Sequence, residues 1–152
     1  MAETSAGILL YRRMPHLEVF LGHMGGPFWR GKDAAAWSIP KGTFIGEEQP
    51  LAAALREFDE EIGRPAPDVE YRELGSFRYS SGKRVWVFAG ESDFDPTEVR
   101  SNTFEIEWPP RSGRKQAFPE LDSAGWFTPD EARERLVKGQ RPALDALTRL
   151  LR

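Results

Sequence analysis

A short stretch near the middle of the chain, residues 42–63, limits what the rest of the sequence can fold into. It reads GTFIGEEQPLAAALREFDEEIG and carries four apolar residues at a 4-3-4 spacing. That spacing places all four on one side of an α-helix, and this side has to be buried against other elements. The four residues are Leu51, Leu55, Phe58 and Ile62. Pro50 suits the first turn of the helix and Gly63 suits its C-terminal cap, so the stretch predicts one helix that begins at Pro50.

The same helix carries acidic residues on a second face. Glu57, Glu60 and Glu61 are spaced i, i+3, i+4, so their carboxylates are neighbours. Like charges this close repel by about 0.2–0.5 kcal/mol per pair on an exposed helix. A solvated acidic face is the common explanation of such a cluster. The other explanation is a bound divalent cation, and hard carboxylate oxygens without nearby His or Cys suit Mg²⁺ or Mn²⁺, which points to phosphate chemistry.

The composition narrows the class of protein. A chain of 152 residues can bury a sizeable core as one domain, predicted here over residues 1–152. The net charge of −3 argues against a general nucleic-acid coat but leaves room for a local basic patch. The chain has no cysteine, which excludes disulfides and thiolate metal sites. No apolar run approaches the ~18–20 residues of a membrane span, and the N-terminus does not resemble a signal peptide. We therefore expect a cytoplasmic protein that binds neither membrane nor nucleic acid.

Strands and helices are mixed along the rest of the sequence. Apolar or alternating runs predict extended segments at 6–11, 17–21, 37–40, 74–79, 84–89, 104–108 and 124–127. A capping box at Thr128 predicts a helix that ends near Lys138, and Pro142 begins a last helix. We expect a loop at residues 109–119 and a helical turn after Pro96. This mixture predicts an α/β (α+β) domain in which helices cover a mixed β-sheet.

Seven residues of the 42–63 stretch resemble the signature of a known superfamily. Their types and spacing reproduce the Nudix box of the Nudix hydrolases: Gly42, Glu48, Arg56, Glu57, Glu60, Glu61 and Gly63. Each of these amino acids has a usage of about 5–8%, so seven chance matches are expected on the order of once in 10⁸ starts. Arg64 departs from the pattern, which has an apolar residue there. The resemblance implies the Nudix fold, an α/β/α sandwich with a mixed β-sheet.

The resemblance also implies a metal site. By position in the box, Glu57, Glu60 and Glu61 would be metal ligands, one of them helping to deprotonate a water molecule. The backbone at Lys41 or Gly42 would complete the coordination. The expected cofactor is Mg²⁺, with Mn²⁺ as a substitute.

Three further residues have supporting or catalytic roles under the same resemblance. Glu48 would support the site, and Arg56 would orient its carboxylates. Glu120, six residues before Trp126, resembles a distant acidic residue of diadenosine tetraphosphate hydrolases that acts as base or extra metal ligand. The alternative is that Glu120 is a surface acid without such a role.

Substrate contacts are predicted from that same branch of the superfamily. The segment Trp37-x-x-Pro40-Lys41-Gly42 resembles its members, and three basic residues would contact phosphates: Lys41, Lys83 and Arg84. The aromatic residues that could stack on a base are Tyr79, Phe28 and Trp29. Further loop or strand residues that could contact phosphate are Arg78, Arg111, Arg114 and Lys115.

The expected function is Mg-dependent hydrolysis of a pyrophosphate bond in a nucleoside polyphosphate or dinucleoside polyphosphate, by attack of water on phosphorus. Alternatives within the enzymes are hydrolysis of ADP-ribose, of another sugar nucleotide or of an inositol pyrophosphate. A nucleotide sensor that does not hydrolyse its ligand is the alternative from another class, and an acidic scaffold for proteins would explain the charge but not the box. The expected partner is a small-molecule nucleotide, with a homodimer left open.

Overall fold

The structure is a computed structural model that describes residues 4–95 and 99–152, and these contain nine strands and three helices. The strands are β1 (Thr4–Arg12), β2 (Glu18–Met24), β3 (Trp37–Ser38), β4 (Lys41–Thr43), β5 (Tyr71–Arg78), β6 (Arg84–Glu91), β7 (Thr103–Glu107), β8 (Lys115–Pro119) and β9 (Leu121–Phe127). The helices are α1 (Pro50–Ile62), α2 (Pro129–Arg135) and α3 (Arg141–Leu150), and a 3-10 turn at Lys138–Gln140 precedes α3. The predicted turn after Pro96 lies outside the described residues.

Seven strands form one mixed sheet with β1 near its centre. The order is β3-β2-β1-β6-β5, while β4 also pairs with β1 and β9 pairs with β2. β1 and β6 run parallel, whereas β4 and β2 pair antiparallel with opposite ends of β1. Gly42 lies beside Ala6 and Lys41 lies beside Gly7 in this register. The residues just before the acidic helix are therefore fixed to the middle of the sheet.

Different helices cover the two faces of this sheet. Side chains alternate along β1, so Ile8 and Leu10 belong to one buried cluster while Leu9 and Tyr11 belong to the other. The first cluster contains the buried side of α1, and the second contains residues of α2 and α3. The fold is thus mixed α+β with helices on both faces of a mixed sheet, as the sequence predicted.

The predicted apolar side of α1 is confirmed. Phe58 and Ile62 are fully buried, and Leu51 and Leu55 pack against the same cluster. Gly63 ends the helix in the left-handed conformation, with φ 84° and ψ 13°, as expected for a C-cap. Within the described residues, no helix is long and apolar enough to cross a membrane.

Two of the predictions made from local sequence were wrong. Residues 109–119 are not all loop, because β8 pairs antiparallel with β7 from Thr103↔Pro119 to Glu107↔Lys115. The helix predicted to reach Lys138 ends at Arg135, although its capping box at Thr128 is present. It ends there because Val137 donates its backbone N–H to the Trp37 carbonyl, 3.0 Å away, and the chain becomes extended. Both errors arise because hydrogen bonds to another extended segment, and not the local sequence pattern, decide the backbone conformation.

Gln140 is a buried polar residue that joins the C-terminal helices to the sheet. Its Oε1 accepts the Ile39 backbone N–H at 2.8 Å, and its Nε2 donates to Ser38 Oγ and Tyr79 Oη, both at 2.9 Å. The side chain is completely buried, so these bonds are made without competition from water. Gln140 therefore fixes the strand segment that leads to Lys41.

We expect Gln140→Leu to lower the free energy of unfolding by about 1–3 kcal/mol, because the buried Ile39 N–H loses its acceptor. Urea denaturation of the purified variant measures this change. Gln116→Leu is the matched control, since Gln116 is exposed on β8 and should change stability by less than about 0.5 kcal/mol. Equal stability of the two variants would contradict the role given to Gln140.

Candidate functional site

A polar cavity of about 280 Å³ lies between the start of β4 and the acidic face of α1. It brings together four carboxylates, one lysine and several small polar residues. Its lining residues are Ser5, Lys41, Gly42, Thr43, Glu57, Glu60, Glu61, Asn102 and Glu120. The three glutamates predicted from the helix spacing therefore face one space, and the distant Glu120 faces it too.

The segment before β7 explains how Glu120 reaches α1. The last carbonyls of a helix lack partners within the helix, and here Arg100 N–H donates to the Ile62 carbonyl and Asn102 N–H to the Glu60 carbonyl, at 2.8 and 2.9 Å. The Asn102 carbonyl in turn accepts the Glu120 N–H at 2.8 Å. Backbone bonds alone thus place Glu120 beside the end of the acidic helix.

Gly42 leaves room for the Glu57 carboxylate. A Cβ built on Gly42 would overlap both the carboxyl carbon and the oxygens of Glu57. The Glu57 carboxylate therefore lies directly against the backbone of β4. A glycine is needed at this position because of close approach rather than because of its backbone conformation.

Arg56 is the centre of an ion-pair network at one side of the cavity. Its Nε and Nη2 donate to the two oxygens of Glu48, each at 2.8 Å, and Nη2 also donates to the Thr43 carbonyl at 2.9 Å. Its Nη1 donates to Glu57 at 2.7 Å and to Glu60 at 3.3 Å. Hydrogen bonds from Arg56 lower the pKa of Glu48 to about 2. Arg56 therefore orients two carboxylates of the cavity and ties them to Glu48, which lies outside it.

Glu61 is the most buried of the acidic residues, with 8% of its surface exposed. Burial raises the pKa of its carboxyl group to about 8, while the charge of Lys41 acts in the opposite direction. Its Oε2 accepts only a long bond, 3.3 Å, from the Lys41 backbone N–H among the described residues. Burial also raises the pKa of Glu57, opposed by Arg56. The metal-free cavity thus holds carboxylates in an environment that disfavours their charge.

A second cavity of about 200 Å³ continues from the first and is more apolar. The two share Lys41, Glu61 and Glu120. Its other lining residues are Met24, Gly25, Trp29, Ser38, Phe104 and Leu121. Trp29, predicted to contact substrate, therefore lies beside the carboxylates.

Of the predicted substrate contacts, only Lys41 and Trp29 line the two cavities as the structure describes them, and Phe28, Arg78, Arg111, Arg114 and Lys115 lie outside both linings, as do Tyr79, Lys83 and Arg84. Tyr79 accepts the Gln140 amide through its hydroxyl, and its ring packs against Gly139. Lys83 and Arg84 are exposed at the start of β6, where Arg84 donates to Ser76 Oγ at 3.2 Å. A role in substrate binding stays a prediction for the residues outside both linings.

Arg64, the one departure from the box, has a packing role in the structure. Its guanidinium lies over the Phe94 ring, 4.4 Å from the centroid, and donates to the Asp95 carbonyl at 3.1 Å. Phe94 belongs to the core cluster on the α1 face. A cation–π contact replaces the apolar contact expected there.

No sequence pattern indicates the small polar residues of the cavity. Ser5 reaches it because β1 pairs with β4 at Ser5↔Thr43, and Asn102 reaches it through its backbone bond to α1. Neither Ser5 nor Asn102 belongs to a sequence motif that indicates a chemical function. Thr43 directly follows Gly42 of the box, and only this position could have indicated that Thr43 lines the cavity.

The donor atoms of the cavity suit a hard divalent cation. Carboxylate oxygens from Glu57, Glu60, Glu61 and Glu120 face one cavity, and Gly42 leaves room there for the carboxylate of Glu57. Across residues 4–95 and 99–152, no three acidic or imidazole side chains converge as a ready metal site. Arg56 holds one oxygen of Glu57 and one of Glu60, so a cation would compete with it for them. The residues therefore fit such an ion in the type of their donor atoms.

Comparison with known proteins shows the family to which the chain belongs. The NUDIX domain family model matches residues 1–147, and the chain belongs to this family. A nucleoside triphosphate pyrophosphatase/Nudix hydrolase fusion protein of Bifidobacterium longum is 33% identical over 115 residues, which are 70% of this chain and 23% of that protein. An RNA pyrophosphohydrolase of Acidiphilium cryptum is 52% identical over 40 residues, 26% of this chain and 24% of that protein. These aligned regions make up about a quarter of each curated relative.

Solved structures agree on the fold. The C. elegans Ap4A hydrolase binary complex superposes with a TM-score of 0.66 at 18% identity and covers 97% of both chains. The NUDIX domain of Shewanella oneidensis NrtR, solved with ADP ribose, gives a TM-score of 0.66 at 14% identity, over 100% of this chain and 90% of that one. At these identities the likeness establishes the Nudix fold, as the resemblance of the box implied.

We expect Gly42→Ala to displace the Glu57 carboxylate, because the new Cβ would occupy its place. Divalent-cation binding, measured by titration calorimetry with Mn²⁺, should weaken at least tenfold. Gly125→Ala is the matched control, since a Cβ there would meet only Phe127, at an ordinary 3.4 Å. Unchanged cation binding in Gly42→Ala would argue against Glu57 as a ligand.

We expect the metal-free protein to lose stability as pH rises from about 4.5 to about 8, because folded Glu61 binds its proton more tightly than unfolded Glu61 does. Other groups titrate in this range, so the contribution of Glu61 is taken as the difference in unfolding free energy between the unaltered protein and Glu61→Gln. That difference should grow by up to about 1.4 kcal/mol per pH unit in favour of the variant. Urea denaturation in EDTA at several pH values measures it, and a constant difference would contradict the burial effect.

Proposed function

We propose that this chain hydrolyses a pyrophosphate bond in nucleoside polyphosphates, including dinucleoside polyphosphates, with Mg²⁺ as its cofactor. One observation carries the proposal: Glu57, Glu60, Glu61 and Glu120 meet Lys41 in a single polar cavity. Carboxylates that hold a cation and a lysine that contacts phosphate together suit a polyphosphate ligand. An acidic scaffold for proteins would need no such enclosed space.

The names of the similar proteins support the substrate class. Two are a nucleoside triphosphate pyrophosphatase fusion and an RNA pyrophosphohydrolase, and a third is an Ap4A hydrolase. Each name describes cleavage of a nucleotide or of a phosphate anhydride attached to one. All four carboxylates of the cavity are present, which favours hydrolysis over a sensor that only binds nucleotide.

The residues of the cavity have distinct roles in the proposed reaction. Glu57, Glu60 and Glu61 would hold the cation, which when bound neutralises phosphate charge and lowers the pKa of a water ligand. Arg56 keeps Glu57 and Glu60 in place through its bonds to both and to Glu48. Lys41 lines the same cavity and would offset the charge of the phosphates.

Glu120 is the proposed proton acceptor for the attacking water. Among the described residues its carboxylate forms no hydrogen bond or ion pair, whereas Glu57 and Glu60 are bonded to Arg56. Its backbone is held by Asn102 and Gly25 on either side. An unpaired carboxylate on a fixed backbone can accept a proton without first breaking an internal bond.

We expect Glu60→Gln to reduce kcat by at least a hundredfold with little change in stability, because a cation ligand is lost from a half-exposed position. A panel of nucleoside triphosphates, dinucleoside polyphosphates and ADP-ribose, with product identification and excess Mg²⁺, measures the rates. Asp59→Asn on the same helix is the matched control, since Asp59 is exposed and lies outside both cavities. EDTA should stop the unaltered protein completely. Tight nucleotide binding with no turnover of any panel member would instead indicate a sensor.

A further inference from the structure

We propose that His23 is a positioning residue for Glu120 and that it acts through the carboxylate of Asp122. His23 lies near the end of β2, beside the start of β9. In the described part of the chain, its side chain lines neither cavity. The proposal rests on the function proposed above, in which Glu120 accepts a proton from the attacking water.

The His23 ring is buried and forms a hydrogen bond at each of its nitrogens. Only 8% of the residue surface is exposed. Nε2 donates to the Lys32 carbonyl at 2.6 Å and Nδ1 donates to Asp122 Oδ1 at 2.8 Å, since a carbonyl and a carboxylate both accept. The ring also meets Trp37 edge to face, with centroids 5.1 Å apart and an interplanar angle of 74°. These contacts hold the ring with Nδ1 toward β9.

Asp122 is the extra residue of a β-bulge. His23 pairs with Ser123, and the next residue of β2, Met24, pairs with Leu121, which leaves Asp122 without a partner in the register. Bulges redirect side chains and are frequent beside active sites. The hydrogen bond from His23 therefore ties the irregular residue of β9 to the neighbouring strand.

The bulge changes which side of the sheet the start of β9 faces. Trp126 packs on the α1 side, so regular alternation predicts the same side for Asp122. Leu121 packs there instead and is 3% exposed. Asp122 thus faces His23, whose neighbour two residues earlier, Leu21, belongs to the cluster on the other side of the sheet. One inserted residue therefore decides how the chain passes from Glu120 into β9.

Glu120 comes two residues before Asp122, directly ahead of β9. Gly25 of the other chain segment donates its N–H to the Glu120 carbonyl at 2.9 Å. His23 and Gly25 therefore hold this segment at two points, on either side of Leu121. A misplacement of about 1 Å in a reacting group can cost about a hundredfold in rate. The bond at Asp122 is thus suited to keep the Glu120 carboxylate in its place.

Two substitutions at His23 separate its two hydrogen bonds. The amide of Asn lies near the place of Nδ1 and keeps the bond to Asp122, whereas the longer Gln reaches the place of Nε2 and keeps only the bond to Lys32. We expect His23→Gln to lower kcat about 10- to 100-fold and to change KM less than about threefold, because no substrate contact is lost. His23→Asn should retain kcat within about threefold.

These constants are measured with Mg²⁺ on the most active member of the substrate panel. The matched control is His16→Gln, which alters the other of the two histidines of the chain. The His16 side chain is 61% exposed, and its substitution should change neither kcat nor KM. Equal loss of kcat in His23→Asn and His23→Gln would overturn the proposal, since it would indicate a general loss of packing.

A double variant tests whether the effect passes through Glu120. In a chain that already carries Glu120→Gln, His23→Gln should lower kcat no further, because the group that His23 positions is no longer able to act. A purely structural role of His23 would lower kcat by the same factor in both backgrounds. That result would overturn the proposal.

Amide hydrogen exchange, followed by NMR, tests the proposal without substrate. The Glu120 N–H, which donates to the Asn102 carbonyl, should exchange at least about tenfold faster in His23→Gln but not in His23→Asn. Asp122→Ala removes the same bond from a side chain that is 38% exposed, so it tests the bond without altering the buried ring and should have the same effect.

Unchanged exchange of the Glu120 N–H in His23→Gln and Asp122→Ala would also overturn the proposal. Failure of the proposed function looks different, because the unaltered protein would then hydrolyse no member of the panel. The exchange rates would still decide whether His23 holds Glu120.

Discussion

Backbone hydrogen bonds at the end of α1 hold the candidate site together. The carbonyls of Glu60 and Ile62 accept N–H groups from the segment that leads to β7, and Asn102 passes the connection on to Glu120. Gly25 then bonds to Glu120 and brings in the loop with Trp29. One set of helix-end carbonyls thus links the acidic helix, a distant carboxylate and the aromatic wall of the second cavity. The left-handed turn at Gly63 allows the segment to approach, since a Cβ there would overlap the Arg100 backbone.

Charged residues of both signs surround the cavity that this framework holds together. The cavity is acidic, and burial opposes the ionisation of Glu61 and Glu57. Arg56 offsets part of that charge from the side facing Glu48, while Lys41 offsets it from β4. Arg56 and Lys41 together carry two positive charges against four carboxyl groups, so they offset the acidic charge of the cavity only in part.

The parts of this structure that could be predicted depend on local sequence. The spacing of Phe58 and Ile62 predicted the buried side of α1, and the box predicted which glutamates share the other side. The parts that could not be predicted depend on pairing across the chain. Lys115 and its neighbours contain no strong strand pattern, and they become a strand because β7 supplies hydrogen-bond partners. The sequence around Gln140 does not indicate its role either, because the backbone N–H that it accepts belongs to Ile39, 101 residues away.

The hairpin and the main sheet are separate structures in the described part of the chain. β7 and β8 pair with each other and share no strand with the seven-stranded sheet. Residues 109–114 at the tip can therefore be lengthened, shortened or recharged without changing the register of β1, β4 or the acidic helix. Substitutions in this one exposed turn should therefore leave the arrangement of the cavity carboxylates unchanged.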